Sequence, residues 1–135
     1  MIQKLIFDRY ACAITDQHKK EVIITGGYDT GTTVSVYSPA GWQRDLAPLN
    51  QGRFDHACGS YVNGGKKVNH ISVCLKVIFS CQFLMVTGGH TGSTSLDSTE
   101  IFSDSVWRTV AGKLPDIISF MSVATINNRV LLFGK

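Results

Sequence analysis

Residues 22–27 read Val-Ile-Ile-Thr-Gly-Gly, and this apolar run closed by two glycines occurs again at residues 84–89 as Leu-Met-Val-Thr-Gly-Gly. A third copy, Val-Leu-Leu-Phe-Gly, occupies residues 130–134. One pattern that returns along a chain is typical of a repeat protein, and a repeat explains recurring residues without any shared chemistry. The sequence therefore predicts about two and a half similar units in succession.

Other residues recur in step with the glycine pairs. The dipeptide Ala-Cys at residues 11–12 returns at residues 57–58, so that Cys12 and Cys58 are 46 positions apart. Each full unit also carries an aromatic residue followed five positions later by a tryptophan, at residues 37 and 42 and again at residues 102 and 107. We interpret Cys12 and Cys58 as equivalent positions of successive units.

Each unit has the sequence pattern of short strands. The runs before the glycine pairs are rich in β-branched residues and are followed by polar turn residues. Residues 34–37, Val-Ser-Val-Tyr, alternate apolar and polar side chains, as a half-buried strand does. We find no convincing helical stripe of apolar residues, so the sequence predicts an all-β fold.

A hydrophobic run into Gly-Gly, then Tyr or Phe, then Trp five residues later resembles the kelch repeat, over nearly all of residues 5–134. A repeat of 40 to 50 residues with about four strands is also typical of a propeller blade. The resemblance implies that residues 1–135 form an incomplete kelch-type β-propeller, with two four-stranded antiparallel blades and part of a third. The landmark residues are Gly26, Gly27, Tyr37, Trp42, Gly88, Gly89, Phe102 and Trp107.

These landmarks have structural explanations. A glycine pair permits positive φ and close approach of neighbouring backbone. The resemblance places Trp42 and Trp107 between adjacent blades, where each supplies a large apolar area, with Tyr37 and Phe102 in the same layer. Because a ring typically needs four to eight blades, we expect missing blades or other copies of the chain to close it.

The second full unit is longer than the first, and we assign the difference to residues 68–82. Joining residue 67 to residue 83 would restore a regular hairpin. The codons for the ends of this segment can be written as a splice donor and a splice acceptor, which favours a retained intron read in frame. A native long loop or an additional hairpin is the alternative.

Composition and charge narrow the function classes. The chain is 44% hydrophobic with a net charge of +3, and its basic residues are scattered, which favours solvated turns over a nucleic-acid patch. Its apolar run at residues 71–86 contains Lys76 and is too short to span a membrane. Cys74 and Cys81 fall in the extra segment, and the cysteine spacing gives little support to disulfides or zinc. Free thiols and the lack of a signal peptide favour the cytoplasm, although localisation stays open.

The sequence supports a catalytic site less well than it supports a structural repeat. Asp29-Thr30-Gly31 matches the triplet of aspartic proteases, but it directly follows a glycine pair and is better explained as a loop. The four histidines have no spacing that places two on one face of one element. We therefore predict a protein that is not an enzyme, with no catalytic residue, no cofactor and no metal site.

Recognition is the remaining class. In kelch proteins, partner peptides dock on the loops after Gly-Gly and on the loops that lead into the next blade, and the resemblance carries this role to the matching positions here. Arg53 stands at the position of the repeat's usual arginine and would pair with an acidic partner residue, with Tyr28 packing against it. The alternative is that these loops are merely polar turns. The partner-binding residues are predicted to be Tyr28, Asp29, Thr30, Arg53, Phe54, Asp55, His90, Thr91 and Ser93.

Three functions are therefore carried forward. The first is a non-catalytic protein-interaction module, a segment of a scaffold or substrate-recruiting adaptor that binds a partner peptide and neither nucleic acid nor membrane. The second is a fragment of a kelch-type carbohydrate-active or copper enzyme whose active residues lie in other blades. The third is a truncated chain with no function of its own.

Overall fold

The computed structural model describes residues 10–16, 20–29, 31–41, 43–63, 81–117, 122–126 and 129–133. These residues form ten strands and no helix, so no helix among them could cross a membrane. The strands are β1 Cys12–Asp16, β2 Glu21–Thr25, β3 Val34–Tyr37, β4 Gln43–Asp45, β5 Ala57–Asn63, β6 Cys81–Thr87, β7 Thr99–Ser103, β8 Val106–Thr109, β9 Ser122–Ile126 and β10 Arg129–Phe133.

The strands form two four-stranded sheets and one hairpin. The first sheet has the order β1-β2-β3-β4, the second has the order β5-β6-β7-β8, and β9 pairs with β10. Every pair of neighbouring strands is antiparallel. The predicted all-β class and the four-stranded antiparallel units are confirmed. The first strands of the three units, β1, β5 and β9, lie next to one another in that order.

The main core lies between the two four-stranded sheets. Because side chains alternate across a strand, each sheet presents one row of apolar residues to the other. The first sheet contributes Ile14, Ile23, Val34 and Val36, and the second contributes Cys58, Leu84, Val86 and Trp107. The second sheet is also covered on its other face, where Gly59 lies against Val123 of the hairpin.

The first strands of the two full units are out of step by one residue. In the first sheet Cys12 is opposite Thr25, whereas in the second Ala57 is opposite Thr87. Since both threonines directly precede a glycine pair, Cys12 is structurally equivalent to Ala57 and not to Cys58. A shift of one residue sends a side chain to the opposite face of its sheet. Cys12 and Cys58 therefore point toward each other across the core.

The two cysteines form a disulfide, with their Cα atoms 6.0 Å apart. The sequence interpretation of two equivalent free thiols is wrong, because it aligned the cysteines by identity and missed the offset. A disulfide of this kind forms and persists in oxidising compartments, so the argument that free thiols favour the cytoplasm no longer holds.

The glycine pairs lie where separate segments of the backbone come close together. Gly26 and Gly88 both have φ of 63°, and Gly27 and Gly89 are also in the positive region. A Cβ atom on Gly26 would collide with the carbonyl oxygen of Arg53, and one on Gly89 would lie 2.8 Å from the Cβ of His56. Both predicted reasons for glycine, positive φ and close approach, apply at these positions.

The aromatic landmarks take the following positions. Trp107 is buried between the two sheets and donates from Nε1 to the carbonyl oxygen of Ala47 at 2.9 Å. Phe102 packs against the same core, with its ring centroid 5.2 Å from that of Trp107. Tyr37 is half-buried on the corresponding face of the first sheet. That face points away from the second sheet. Trp42 lies outside the described residues.

The predicted insertion at residues 68–82 lies mostly outside the described residues. Its last two residues, Cys81 and Gln82, belong to β6 and pair with Asn63 and Val62 of β5. Deleting the whole segment would bring the two lysines at residues 66–67 into the place of these two strand residues.

We predict that the disulfide contributes about 2–4 kcal/mol to stability, because it joins residues 46 positions apart and restricts the unfolded chain. Replacing Cys12 and Cys58 together by alanine should lower the free energy of urea unfolding by that amount. The control is the wild-type chain in reductant, which should approach the stability of the variant. A wild-type chain whose unfolding midpoint is unchanged by reductant would contradict the prediction.

Candidate functional site

The segment that connects the two sheets, residues 46–56, is held against the second sheet by a buried arginine. Nη1 of Arg53 donates to the carbonyl oxygens of Gly88 at 2.9 Å and Ser98 at 3.1 Å. Its Nη2 donates to the Ser98 hydroxyl at 3.1 Å and to the Glu100 carboxylate at 2.9 Å. One side chain thus fastens the connecting segment to both ends of the loop between β6 and β7.

The carboxylate of Glu100 completes this arrangement from the strand side. Its two oxygens accept backbone amide hydrogen bonds from Asn50 at 2.7 Å and Gln51 at 3.2 Å, in addition to the arginine. Both charged side chains are fully buried. Burial lowers the pKa of Arg53, and the neighbouring Glu100 charge opposes that effect. A buried ion pair is tolerated only when its remaining donors and acceptors are satisfied, as they are here.

Arg53 is therefore not available to an acidic partner residue, contrary to the sequence expectation. Its side chain has no solvent-exposed area, and its guanidinium donors point to groups of the chain itself. The sequence interpretation treated the arginine as a surface residue because it lies in a polar loop. It did not account for Glu100, whose fully buried carboxylate requires a partner inside the protein.

A buried histidine lies next to the arginine. His56 Nε2 shares a 2.8 Å hydrogen bond with the Thr25 hydroxyl, which lies 3.4 Å from the carbonyl oxygen of Cys12. Its Nδ1 has no hydrogen-bond partner among the described residues. Burial, with the Arg53 charge as a second cause, lowers the pKa of His56 to about 3. The imidazole is therefore neutral at physiological pH and links the two glycine-pair regions.

Above these buried groups, four rings form a cluster that we call the aromatic patch: Tyr10, Tyr28, Phe54 and His90. The ring centroids of Tyr28 and Phe54 are 5.1 Å apart, and those of Phe54 and His90 are 5.6 Å apart. Tyr10 lies 6.5 Å from Tyr28 and 6.3 Å from Phe54. Tyr10 and Tyr28 are 55% and 53% exposed, so the patch presents aromatic surface to solvent.

The patch is assembled from loops of both full units. Tyr28 and His90 follow the two glycine pairs, and Tyr10 and Phe54 precede the first strands β1 and β5. Phe54 and His90 exchange two backbone hydrogen bonds of 3.0 and 2.9 Å, and the Asp55 amide donates to the Tyr10 carbonyl oxygen at 3.1 Å. These main-chain bonds fix the backbone positions of Tyr10, Phe54 and His90 relative to one another.

Among the other predicted partner-binding residues, Asp29, Asp55 and Thr91 directly follow rings of the patch in sequence, and Ser93 lies in the loop that follows His90. Asp29, Thr91 and Ser93 are exposed, and Asp55 is half-buried. Thr30 lies outside the described residues. The structure thus brings together Tyr28, Phe54 and His90 from the predicted set and removes Arg53 from the surface.

Sequence reasoning missed Tyr10 as a member of the patch. Tyr10 and Asp55 each lie two residues before a first strand, and both have positive φ, 64° and 51°. The two residues are therefore structurally equivalent. Aligning the units on residues 12 and 57 instead of on the two cysteines would have placed Tyr10 on the same loop face.

The rest of the described structure has fewer features that could form a functional site. A cleft of about 450 Å³ lies between the outer parts of the two sheets, where Glu21 and Arg44 form a 3.2 Å ion pair. In the part of the chain that the structure describes, no three His, Cys, Asp or Glu side chains are grouped to hold a metal ion.

We predict that His56 makes stability depend on pH below neutrality. Its folded-state pKa is below the ordinary value of 6.5, so the unfolded chain takes up a proton that the folded chain excludes. Stability that is present above about pH 6.5 should be lost as the pH falls toward 3, with about 2 kcal/mol lost between about pH 7.5 and 5.

The measurement is the free energy of urea unfolding as a function of pH, for the wild type and for His56→Gln. The variant lacks the titrating group, so its curve should be flatter by the stated amount over this interval. Parallel curves for the two proteins would contradict the prediction, whatever the difference in their stability at pH 7.5.

Comparison with known proteins supports the fold alone. No protein-family model and no curated protein matches the chain. Among solved structures, the chain is similar to one described as the structure of YjhT, with a TM-score of 0.67 and 13% sequence identity. The match covers 96% of this chain and 35% of that one, so the chain spans about a third of the length of its structural neighbour.

Proposed function

We propose that the chain is a segment of a kelch-type β-propeller and acts as a non-catalytic protein-interaction module. Support for the propeller comes from the successive four-stranded units whose first strands, β1, β5 and β9, lie side by side. The glycine pairs and the inter-sheet position of Trp107 are what the kelch resemblance requires. The missing neighbours of the outer faces would come from further blades or from other copies of the chain.

The aromatic patch is the observation that carries the binding function. Tyrosine is enriched at protein interfaces because it offers a large apolar ring together with a polar hydroxyl. Here two half-exposed tyrosines lie on a base of Phe54 and His90 that is fixed by main-chain hydrogen bonds. A surface that is positioned before the partner arrives loses little conformational entropy on binding.

The Cys12–Cys58 disulfide is relevant to the compartment in which the module would work. It favours a scaffold that works in an oxidising compartment over a substrate-recruiting adaptor of the cytosol. In either setting the partner is a peptide segment that docks on the loops following the glycine pairs and preceding the first strands.

We predict that Tyr28→Ala weakens peptide binding at least about tenfold, as expected for an aromatic residue at the centre of an interface. Peptides selected from a random library against the wild-type chain would be titrated against both proteins. The matched control is Val106→Ala, which also removes an exposed apolar side chain, from the first residue of β8 at the opposite end of the second sheet.

Because both side chains are exposed, neither substitution should change the unfolding midpoint by more than a small amount. If selected peptides bind Tyr28→Ala as tightly as wild type, or if Val106→Ala weakens binding equally, the loops around the patch are not the docking site.

A further inference from the structure

The charges around the aromatic patch have the opposite sign from the one the sequence suggests. We define the loop face as residues 10–11, 26–29, 31–33, 46–56 and 88–98. Among its described residues Arg53 is the one Lys or Arg side chain, and it is buried against Glu100. The acidic residues are Asp29, Asp55 and Asp97, of which Asp97 forms a 2.7 Å ion pair with Lys113. Although the whole chain has a net charge of +3, this face is acidic over the described residues.

Two of these carboxylates directly follow rings of the patch in sequence. Asp29 follows Tyr28, and Asp55 follows Phe54. Asp55 is fixed in place because its amide donates to the carbonyl oxygen of Tyr10 at 3.1 Å. The exposed rings of the patch are thus accompanied by negative charge on the same loops.

Aromatic faces and carboxylates both attract cations. A guanidinium or ammonium group over the face of a Tyr or Phe ring interacts favourably with the ring quadrupole, and a nearby carboxylate adds a charge-assisted hydrogen bond. An acidic peptide would meet repulsion from the same carboxylates. The electrostatics of the loop face therefore select a basic peptide segment.

The ring geometry distinguishes among basic groups. The centroids of Tyr10, Tyr28 and Phe54 are 5.1 to 6.5 Å apart, so the rings pack against one another and do not enclose a cage. A round methylated ammonium group needs such an enclosure, whereas a planar guanidinium can stack on an outer ring face while its edge pairs with a carboxylate. We infer that the partner segment carries an arginine that stacks on Tyr10 or Tyr28 and pairs with Asp55.

This inference rests on the proposed function, and its test separates the two. The probes are three libraries of capped, fluorescent peptides with randomised neutral flanks and a central Arg, Glu or citrulline. Citrulline keeps the shape of arginine and removes its charge. Binding to the full chain would be measured by fluorescence anisotropy at about 0.05 and 0.3 M salt.

We expect binders from the arginine library. Their affinity should fall at least about tenfold when citrulline replaces arginine, and it should fall at the higher salt concentration. Tyr28→Ala should weaken binding at least about tenfold, as proposed above, and Asp55→Asn should weaken it by about five- to tenfold.

The matched control for Asp55→Asn is Asp104→Asn. Asp55 and Asp104 have nearly the same backbone conformation, with φ of 51° and 50°, which asparagine also tolerates. Asp104 lies in the β7–β8 turn at the other end of the strands, so its substitution should leave peptide affinity unchanged.

Two results would overturn the inference. Binders from the glutamate or citrulline library that match the arginine peptides in affinity and are weakened by Tyr28→Ala would leave the proposed function standing and refute the arginine. If no library yields a binder that is weakened by Tyr28→Ala, both the inference and the proposed function fail.

Discussion

The buried ion pair between Arg53 and Glu100 is the interaction on which the loop face depends. Residues 46–56 connect the last strand of the first sheet to the first strand of the second. Because this segment lies outside the strands, its backbone amides and carbonyls need other hydrogen-bond partners. Glu100 accepts the amides of Asn50 and Gln51, and Arg53 supplies donors to the carbonyls on both sides of the β6–β7 loop. The pair is fully desolvated, so it is retained only because every one of these partners is in place.

The aromatic patch depends on this attachment of residues 46–56 to the second sheet. It also depends on the one-residue offset between the first strands of the two units. With Arg53 held below the surface, its carbonyl oxygen accepts the Gly27 amide, and the next residue, Phe54, pairs with His90. The offset sets Cys12 opposite Cys58 and brings Tyr10 beside Asp55. The aromatic patch and the disulfide thus both depend on the register in which the two first strands begin.

Part of this could be predicted from the sequence and part could not. Gly-Gly after an apolar run indicated the strand ends, and the alternation in residues 34–37 predicted a strand, because local steric and pattern rules govern both. The half-buried character predicted for that strand is wrong, since Ser35 is buried as well as Val34 and Val36. Whether the Arg53 side chain is buried depends on Glu100, a residue 47 positions away. A polar loop has the same sequence pattern whether its arginine points inward or outward. Likewise, aligning Cys12 with Cys58 by identity hides an offset that only strand pairing reveals.

The most direct test of the account is a double-mutant cycle on the free energy of urea unfolding, with Arg53→Met, Glu100→Gln and the double variant. If Arg53 fastens the connecting segment internally, each single substitution leaves an uncompensated buried group and costs about 3–5 kcal/mol. The double variant should then cost less than the sum by about 2 kcal/mol or more. Additive effects, within about 0.5 kcal/mol, would show that the two side chains act independently and would contradict the account.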